Sequence, residues 1–287
     1  MRMAEIRFAR PDEREAVVQF MFERFPRVRW SIEGWRMLLS GRWAQEGDPF
    51  AVVVCDQGAL VGVLGLVMSR RQMDSGAVKV CNMTSWYVDK AYRGQGVGQK
   101  VMQLVTADPD LTCTNLSSAR GALGVVANVG LQVLDDTRFV WERSGPSPLS
   151  VHTDLKGEEA ALSARERQIV KDHADLDLRP IVVDTPDGPC FMMVWVKQKV
   201  DEYLTHEVMY LGNRTLFGRY AREIADAVLP DDHAAVLSVD SRFVAEGTTP
   251  DRTEPIPVPR FYSPGNLPPE DVDHLYSEIV LLGMKLY

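Results

Sequence analysis

The alternation of apolar and polar residues divides the first half of the chain into short strands and helices. Short apolar runs rich in β-branched residues predict strands over residues 4–9, 50–55, 60–68, 79–88, 111–115 and 131–141. Amphipathic spacing predicts helices after Pro11, Ser31, Gly96 and Ser118. This order of elements predicts an α/β fold (mixed α+β), with helices on both faces of a mixed sheet.

The second half repeats this pattern more weakly. A linker composition, Ser144-Gly145-Pro146-Ser147-Pro148, precedes it, and Ser163-x-x-Glu166 forms a capping box at the start of a helix. A hairpin over residues 180–196 and a strand-helix-strand unit over residues 208–239 then follow. We therefore predict two domains, residues 1–143 and 151–287, joined by a linker over residues 144–150.

The most informative stretch is Cys81 to Lys100, where a strand passes into a glycine-spaced loop and then into a helix. The first-turn N–H groups of a helix have no intrahelical acceptor and lie at the positive end of its dipole, so they can bind phosphate. Gly94, Gly96 and Gly98 would keep side chains away from such a ligand. The spacing fits neither the dinucleotide motif nor the P-loop motif.

The pattern Arg93-x-x-Gly96-x-Gly98, after the strand Trp86-Tyr87-Val88, resembles the acetyl-CoA signature of the GNAT family of N-acetyltransferases. The simpler interpretation is a glycine-rich turn before an ordinary helix. The resemblance implies the GNAT fold, with acetyl-CoA or another acyl-CoA as co-substrate and the Val88 N–H as oxyanion donor. It implies that the coenzyme is bound by Trp86, Tyr87, Val88, Arg93, Gly94, Gln95, Gly96, Val97 and Gly98.

The second half looks like a GNAT half that lacks this signature. The corresponding loop reads Gly212-Asn213-Arg214-Thr215, so we expect one coenzyme site per chain. The tail, from Pro257 to Glu278, resembles the C-terminal part of bacterial acyltransferases of the double-GNAT type. The simpler interpretation of the tail is a strand, a turn and a helix that close the second sheet.

Proton transfer has weaker support in the sequence. An alkylamine acceptor has a pKa of about 10.4, so some group must take its proton. Residues 79–88 contain no carboxylate, and the polar groups available there are Asn82, Thr84, Ser85 and Tyr87. The candidate catalytic residues are Ser85 and Tyr87 on this strand and His206 and Glu207 in the second half. Many GNAT enzymes place a tyrosine where this chain has Val126, so the resemblance assigns neither acid nor base.

Composition limits the class of protein. The 287 residues carry a formal charge of −8 with no long basic run, which argues against a nucleic-acid partner. No apolar run is long enough to cross a bilayer, and the N-terminus lacks a signal-peptide core, so we expect a cytoplasmic protein without a membrane partner. The four cysteines are widely separated and suggest reduced core residues without a metal site. A monomer or a homodimer fits these features.

Together these features predict an acyltransferase that moves an acetyl or short acyl group from acyl-CoA to a primary amine of a small molecule or amino sugar. The amine would attack directly within a ternary complex. One alternative is a non-catalytic regulatory protein that binds acyl-CoA. Another is an N-acetyltransferase that acts on proteins or peptides.

Overall fold

The structure is a computed structural model that describes residues 4–26, 28, 30–73, 75–155, 161–198 and 203–283. The chain packs as two compact units. The first contains residues 4–134, 258–269 and 276–283, and the second contains residues 135–257 and 270–275. The tail, which the sequence placed wholly in the second domain, thus contributes two segments to the first unit.

Twelve strands and seven helices are present in the described part of the chain. The strands are β1 Glu5–Phe8, β2 Ala51–Asp56, β3 Ala59–Met73, β4 Gly76–Val88, β5 Thr112–Asn115, β6 Gln132–Glu142, β7 Ser150–His152, β8 Arg179–Thr185, β9 Gly188–Gln198, β10 Leu204–Leu211, β11 Ala235–Asp240 and β12 Arg252–Tyr262. The helices are α1 Arg14–Arg24, α2 Ile32–Leu38, α3 Val97–Thr106, α4 Leu123–Asn128, α5 Ala164–Asp172, α6 Arg214–Val228 and α7 Glu278–Leu281.

In the first unit the strands lie in the order β1-β2-β3-β4-β5-β12. β4 and β5 are parallel, as a crossover through α3 requires, and the other pairs are antiparallel. Alternate residues of β4, such as Cys81 and Met83, join Val101 and Met102 of α3 in one buried cluster. This packing places the N-terminus of α3 beside the C-terminal end of β4.

In the second unit the strands lie in the order β6-β11-β10-β9-β8-β7. β10 and β11 are the parallel pair, and α6 is the helix between them. The fully buried side chains of Phe217 and Ile224 on α6 join Leu237 and Val194 of the sheet in one core. Strand, helix and parallel strand therefore follow the same arrangement as β4, α3 and β5.

The structure corrects two predicted strand partners. The strand predicted over residues 131–141 was expected to end the first half, but Arg138–Asp240 and Glu142–Val236 are register pairs of β6 with β11 in the second unit. The tail strand was expected to close the second sheet, but Phe261 of β12 pairs with Asn115 of β5 in the first unit. An apolar pattern specifies that a strand forms but not which neighbour it pairs with.

The structure confirms two of the three helix caps predicted from the sequence. Ser31 caps α2 through its Oγ, which accepts from the Gly34 N–H at 3.2 Å, and Ser163 and Glu166 form the predicted capping box of α5. The predicted cap Ser118 is wrong, because its hydroxyl donates to Asn115 Oδ1 at 2.6 Å instead. All four cysteines are buried, as expected for core residues. No helix in the described residues is long and apolar enough to cross a membrane.

Candidate active site

A wedge opens between β4 and β5 at the C-terminal end of β4. The two strands pair at Val80–Thr112, Cys81–Cys113 and Asn82–Thr114, and no further pair follows along β4. On its other edge β4 stays paired with β3 as far as Val88. The edge of β4 from residue 83 to residue 88 is therefore available to an extended ligand with amide groups, such as a pantetheine arm.

A β-bulge in β4 changes the direction of the strand beside this wedge. Gly65 of β3 pairs with Thr84, but Val63 pairs with Tyr87, so one residue of β3 opposes two residues of β4. Ser85, inside the bulge, has φ of 50°, in the left-handed region that few non-glycine residues adopt. Its hydroxyl lies 3.1 Å from Thr84 Oγ1.

The loop after β4 presents backbone groups that side chains do not cover. Gly94 and Gly96 have φ of 74° and 75°, and a Cβ at either position would have no atom within 4 Å. Gly96 is the N-cap of α3 and supplies no capping side chain, so the first-turn N–H groups of the helix have no side-chain cap. N–H groups at such a helix N-terminus can donate hydrogen bonds to a phosphate group.

Gly98 has a different role from the one expected from the sequence. A Cβ on this residue would lie 2.2 Å from Trp86 Cζ2, so the space is filled by an indole ring and not left for a phosphate. The missing side chain lets Trp86 pack against the first turn of α3. The expectation that all three glycines clear a path for the ligand is thus corrected for Gly98.

Arg93 and Gln95 fix the loop in place. Arg93 Nε donates to the Val88 carbonyl at 2.6 Å, and its guanidinium carbon lies 5.3 Å from the centre of the Tyr87 ring. Gln95 Nε2 donates to the Ala91 carbonyl at 2.7 Å. The side chains of both predicted coenzyme-binding residues therefore shape the loop.

The Val88 N–H points into the wedge. The next residue, Asp89, donates its N–H to the Val61 carbonyl of β3 at 2.8 Å. Because successive residues of a strand direct their N–H groups to opposite edges, the Val88 N–H faces away from β3. This orientation suits the predicted oxyanion donor.

The predicted catalytic candidates fall in different units. Tyr87 packs edge-to-face against Phe20 and Phe25 of the first unit, at 6.0 and 5.8 Å between ring centres. His206 is buried in the second unit, where burial and then the charge of Arg179 lower its pKa to about 4. This imidazole is therefore neutral at pH 7.

Glu207 belongs to a buried ion cluster in the second unit. Its Oε2 accepts from Lys197 Nζ at 2.6 Å, and its Oε1 lies 3.5 Å from Arg138 Nη1. All three side chains are almost completely buried. The cluster links side chains of β6, β9 and β10.

The N-terminus of α6 differs from that of α3 in ways that disfavour phosphate. Asn213 caps it, because its Oδ1 accepts from the Leu216 N–H at 2.9 Å. A carboxylate oxygen of Glu166 occupies the space beside Gly212, 2.2 Å from where a Cβ would lie. A capped helix end with a negative charge beside it repels an anion.

Sequence reasoning missed a cluster at the vertex of the wedge. Glu278 of α7 is completely buried, and its backbone N–H donates to Asn82 Oδ1 at 3.3 Å. Its Oε1 accepts a hydrogen bond from the hydroxyl of Ser117, an exposed residue. Burial raises the Glu278 pKa to about 7, opposed by the Ser117 hydrogen bond and the charge of Arg260. Only the resemblance of the tail hinted at this region. The described residues contain no group of three His, Cys, Asp or Glu that could hold a metal ion.

Comparison with known proteins identifies the first unit. Residues 15–108 match the family described as Acetyltransferase (GNAT) family, and this range contains β4, the glycine loop and α3. The GNAT resemblance of the signature is thus confirmed. A comparison with curated proteins gave no match.

Solved structures extend the fold likeness over most of the chain. Eis1 from Mycobacterium abscessus aligns with a TM-score of 0.51 and 13% identity, over 91% of this chain and 73% of its own. A GCN5-related N-acetyltransferase from Anabaena variabilis aligns with a TM-score of 0.53 and 9% identity, over 90% of this chain and 72% of its own. A probable N-acyltransferase from Enterococcus faecalis V583 aligns with a TM-score of 0.55 and 9% identity, over 91% of this chain and 72% of its own. The chain has the GNAT fold.

Proposed function

We propose that this chain, whose residues 15–108 match the GNAT acetyltransferase family, acylates a primary amine of a small molecule or amino sugar. The donor is acetyl-CoA or a close acyl-CoA. The observation that carries the proposal is the wedge between β4 and β5, with an open glycine loop at its mouth. The wedge offers the edge of β4, which can pair with the amide groups of the pantetheine arm. The glycine loop offers backbone N–H groups, which can bind the pyrophosphate of the coenzyme.

The reaction is a direct transfer. The amine nitrogen attacks the thioester carbonyl carbon, the oxyanion accepts a hydrogen bond from the Val88 N–H, and the C–S bond breaks with its electrons going to sulfur. The nitrogen loses one proton and the thiolate gains one. Holding both substrates in the wedge supplies the orientation that makes the attack efficient.

One coenzyme site serves the whole chain. In this proposal the first unit, which includes the tail segments 258–269 and 276–283, binds acetyl-CoA, and the second unit is a GNAT-like half without the signature. The repeat of strand, helix and parallel strand in the second unit supports a common design. Asn213 and the Glu166 carboxylate at the N-terminus of α6 support the absence of a second coenzyme there.

The proposal is tested by thiol release. The protein is incubated with acetyl-CoA and a panel of amino sugars, small alkylamines and short peptides, and free CoA is followed with a thiol reagent. We expect amine-dependent CoA release with an amino sugar or small amine, and mass spectrometry should find the acetylated product.

Two results would contradict the proposal. If the protein binds acetyl-CoA but forms no free CoA with any amine of the panel, the non-catalytic regulatory protein is favoured. Turnover with peptides alone would favour the peptide N-acetyltransferase. The matched control is the variant Glu270→Gln, which changes an exposed carboxylate of the tail and should leave turnover unchanged.

A further inference from the structure

The first unit holds an exposed serine that donates a hydrogen bond to a buried carboxylate. Ser117 is exposed, and its Oγ donates a hydrogen bond to Glu278 Oε1. Glu278 itself is 0% exposed. Its second oxygen, Oε2, is also buried and accepts no hydrogen bond from the described residues. A buried carboxyl with one unsatisfied oxygen is costly to keep, so its presence calls for an explanation.

This pair lies where the wedge begins. Asn82 and Thr114 form the last register pair between β4 and β5, and their side chains are joined by a hydrogen bond of 2.9 Å. The Glu278 N–H donates to the same Asn82 side chain. Ser117 follows β5 by two residues. Ser117 therefore lies just past the end of β5, the strand that borders the wedge.

The tail segment that carries Glu278 is firmly held in the first unit. The Tyr276 ring packs against Trp43 at 5.1 Å, and the guanidinium of Arg71 lies 4.1 Å above the same ring. Tyr276 has φ of 54°, which turns the chain just before α7. The carboxylate is thus placed by packing and not by a free chain end.

Glu278 can exchange a proton near neutral pH. Burial raises its pKa to about 7, while the Ser117 hydrogen bond and the positive charge of Arg260 lower it. Asn82 and Ser117, which form hydrogen bonds with Glu278, are neutral. A base works best when its pKa lies near the working pH.

We propose that Ser117 and Glu278 form a proton relay that takes the proton of the acceptor amine, an inference that rests on the proposed function. As the nitrogen attacks, its proton passes to Ser117 Oγ while the Ser117 proton passes to Glu278 Oε1. The amide forms, the C–S bond breaks, and the same hydroxyl returns the proton from Glu278 to the thiolate. Atoms and charge balance without another reactant.

The test compares kinetics and binding in four variants of the full chain. Glu278→Gln and Ser117→Ala should each lower kcat by about 10²–10⁴-fold, while the Kd for acetyl-CoA stays within about twofold of the wild-type value. Ser117→Thr keeps the hydroxyl and should retain most of the activity. Ser118→Ala removes a neighbouring hydroxyl outside the relay and should behave as wild type.

The pH profile separates a relay from a packing role. In the wild type kcat should rise with pH through a midpoint of about 7, because the relay accepts a proton only when Glu278 is ionised. In the Glu278→Gln variant this rise of kcat with pH should disappear. If Glu278 had only a structural role, the variant would have a lower kcat or melting temperature but would keep the rise.

The outcomes are distinguishable. If the wild type acetylates no amine, the proposed function fails and the relay falls with it. If the wild type is active and a folded Glu278→Gln variant keeps its kcat and the rise of kcat with pH, the relay alone is overturned. Full activity of Ser117→Ala would overturn the relay as well.

Discussion

At the residue scale, the glycine-spaced loop shows that one residue type can serve two purposes. Gly94 and Gly96 have positive φ and face open space, whereas Gly98 is contacted by an indole ring. The first two glycines leave backbone groups accessible, and the third allows Trp86 to pack against α3. Sequence spacing alone cannot separate these roles, because both require a missing side chain.

Substitution of Gly98 tests the packing role. Gly98→Ala would push a methyl group into the Trp86 ring, and overpacking of this kind costs about 1–3 kcal/mol. We expect a lower melting temperature, with partial recovery in the double variant that also carries Trp86→Leu. Gly124→Ala is the control, since that helical glycine has open space around it and alanine favours the helix. Equal melting temperatures for Gly98→Ala and the wild type would refute the packing role.

The residues of the loop could be predicted from the sequence, but the vertex of the wedge could not. The loop lies within one stretch of about 20 residues and carries its own spacing signal. Glu278 and Asn82 are 196 positions apart, and no local pattern reports their contact. The buried carboxylate becomes visible only when the tail is seen to return to the first unit.

At the element scale, β4 does most to organise the site. It pairs with β3 along its whole length, pairs with β5 for three residues only, and contains a bulge at Ser85. The sequence predicted the strand and the loop after it. It could not predict where the pairing with β5 stops, because register depends on the neighbouring strand.

The bulge can be tested at Ser85. A β-branched residue is strongly disfavoured at φ of 50°, so Ser85→Val should cost on the order of 1–2 kcal/mol and shift the wedge. We expect a lower melting temperature and a higher KM for acetyl-CoA. Ser85→Gly relieves the strain and should keep the KM close to wild type. If Val and Gly variants have the same KM, the bulge does not shape the coenzyme site.

Strand partners were the weakest part of the sequence-based fold. The sequence predicted the strand that became β6 and a strand in the tail, but each pairs outside the half to which the sequence assigned it. A local pattern of apolar and polar residues does not specify the partner of a strand, because the partner is set by contacts far along the chain.

At the scale of the whole molecule, the first unit depends on chain that follows residue 257. Phe261 of β12 is buried in the same cluster as Cys113 and Val126, and Arg260 and Glu278 reach the wedge from the tail. Burial of one phenylalanine alone contributes about 1.5–3 kcal/mol. A fragment that ends before residue 258 therefore lacks buried apolar side chains of this unit, among them Phe261, Leu267 and Ile279.

A fragment of residues 1–143 should not fold stably. It lacks residues 258–269 and 276–283 of the first unit, so we expect low solubility or a broad, non-cooperative thermal transition by circular dichroism. Co-expression with residues 144–287 is the control and should restore a soluble protein. A soluble fragment of residues 1–143 with full kcat/KM would show that the tail is dispensable.

The central claim is that the loop from Arg93 to Gly98 holds the only acetyl-CoA of the chain, and calorimetric titration tests it most directly. We predict one acetyl-CoA per chain for the wild type and no detectable binding for Gly96→Asp, whose carboxylate would repel the pyrophosphate. Gly96→Asn has the same shape and also tolerates positive φ, so it should keep binding within about tenfold. Two acetyl-CoA molecules per chain, or unchanged binding by a folded Gly96→Asp variant, would contradict the claim.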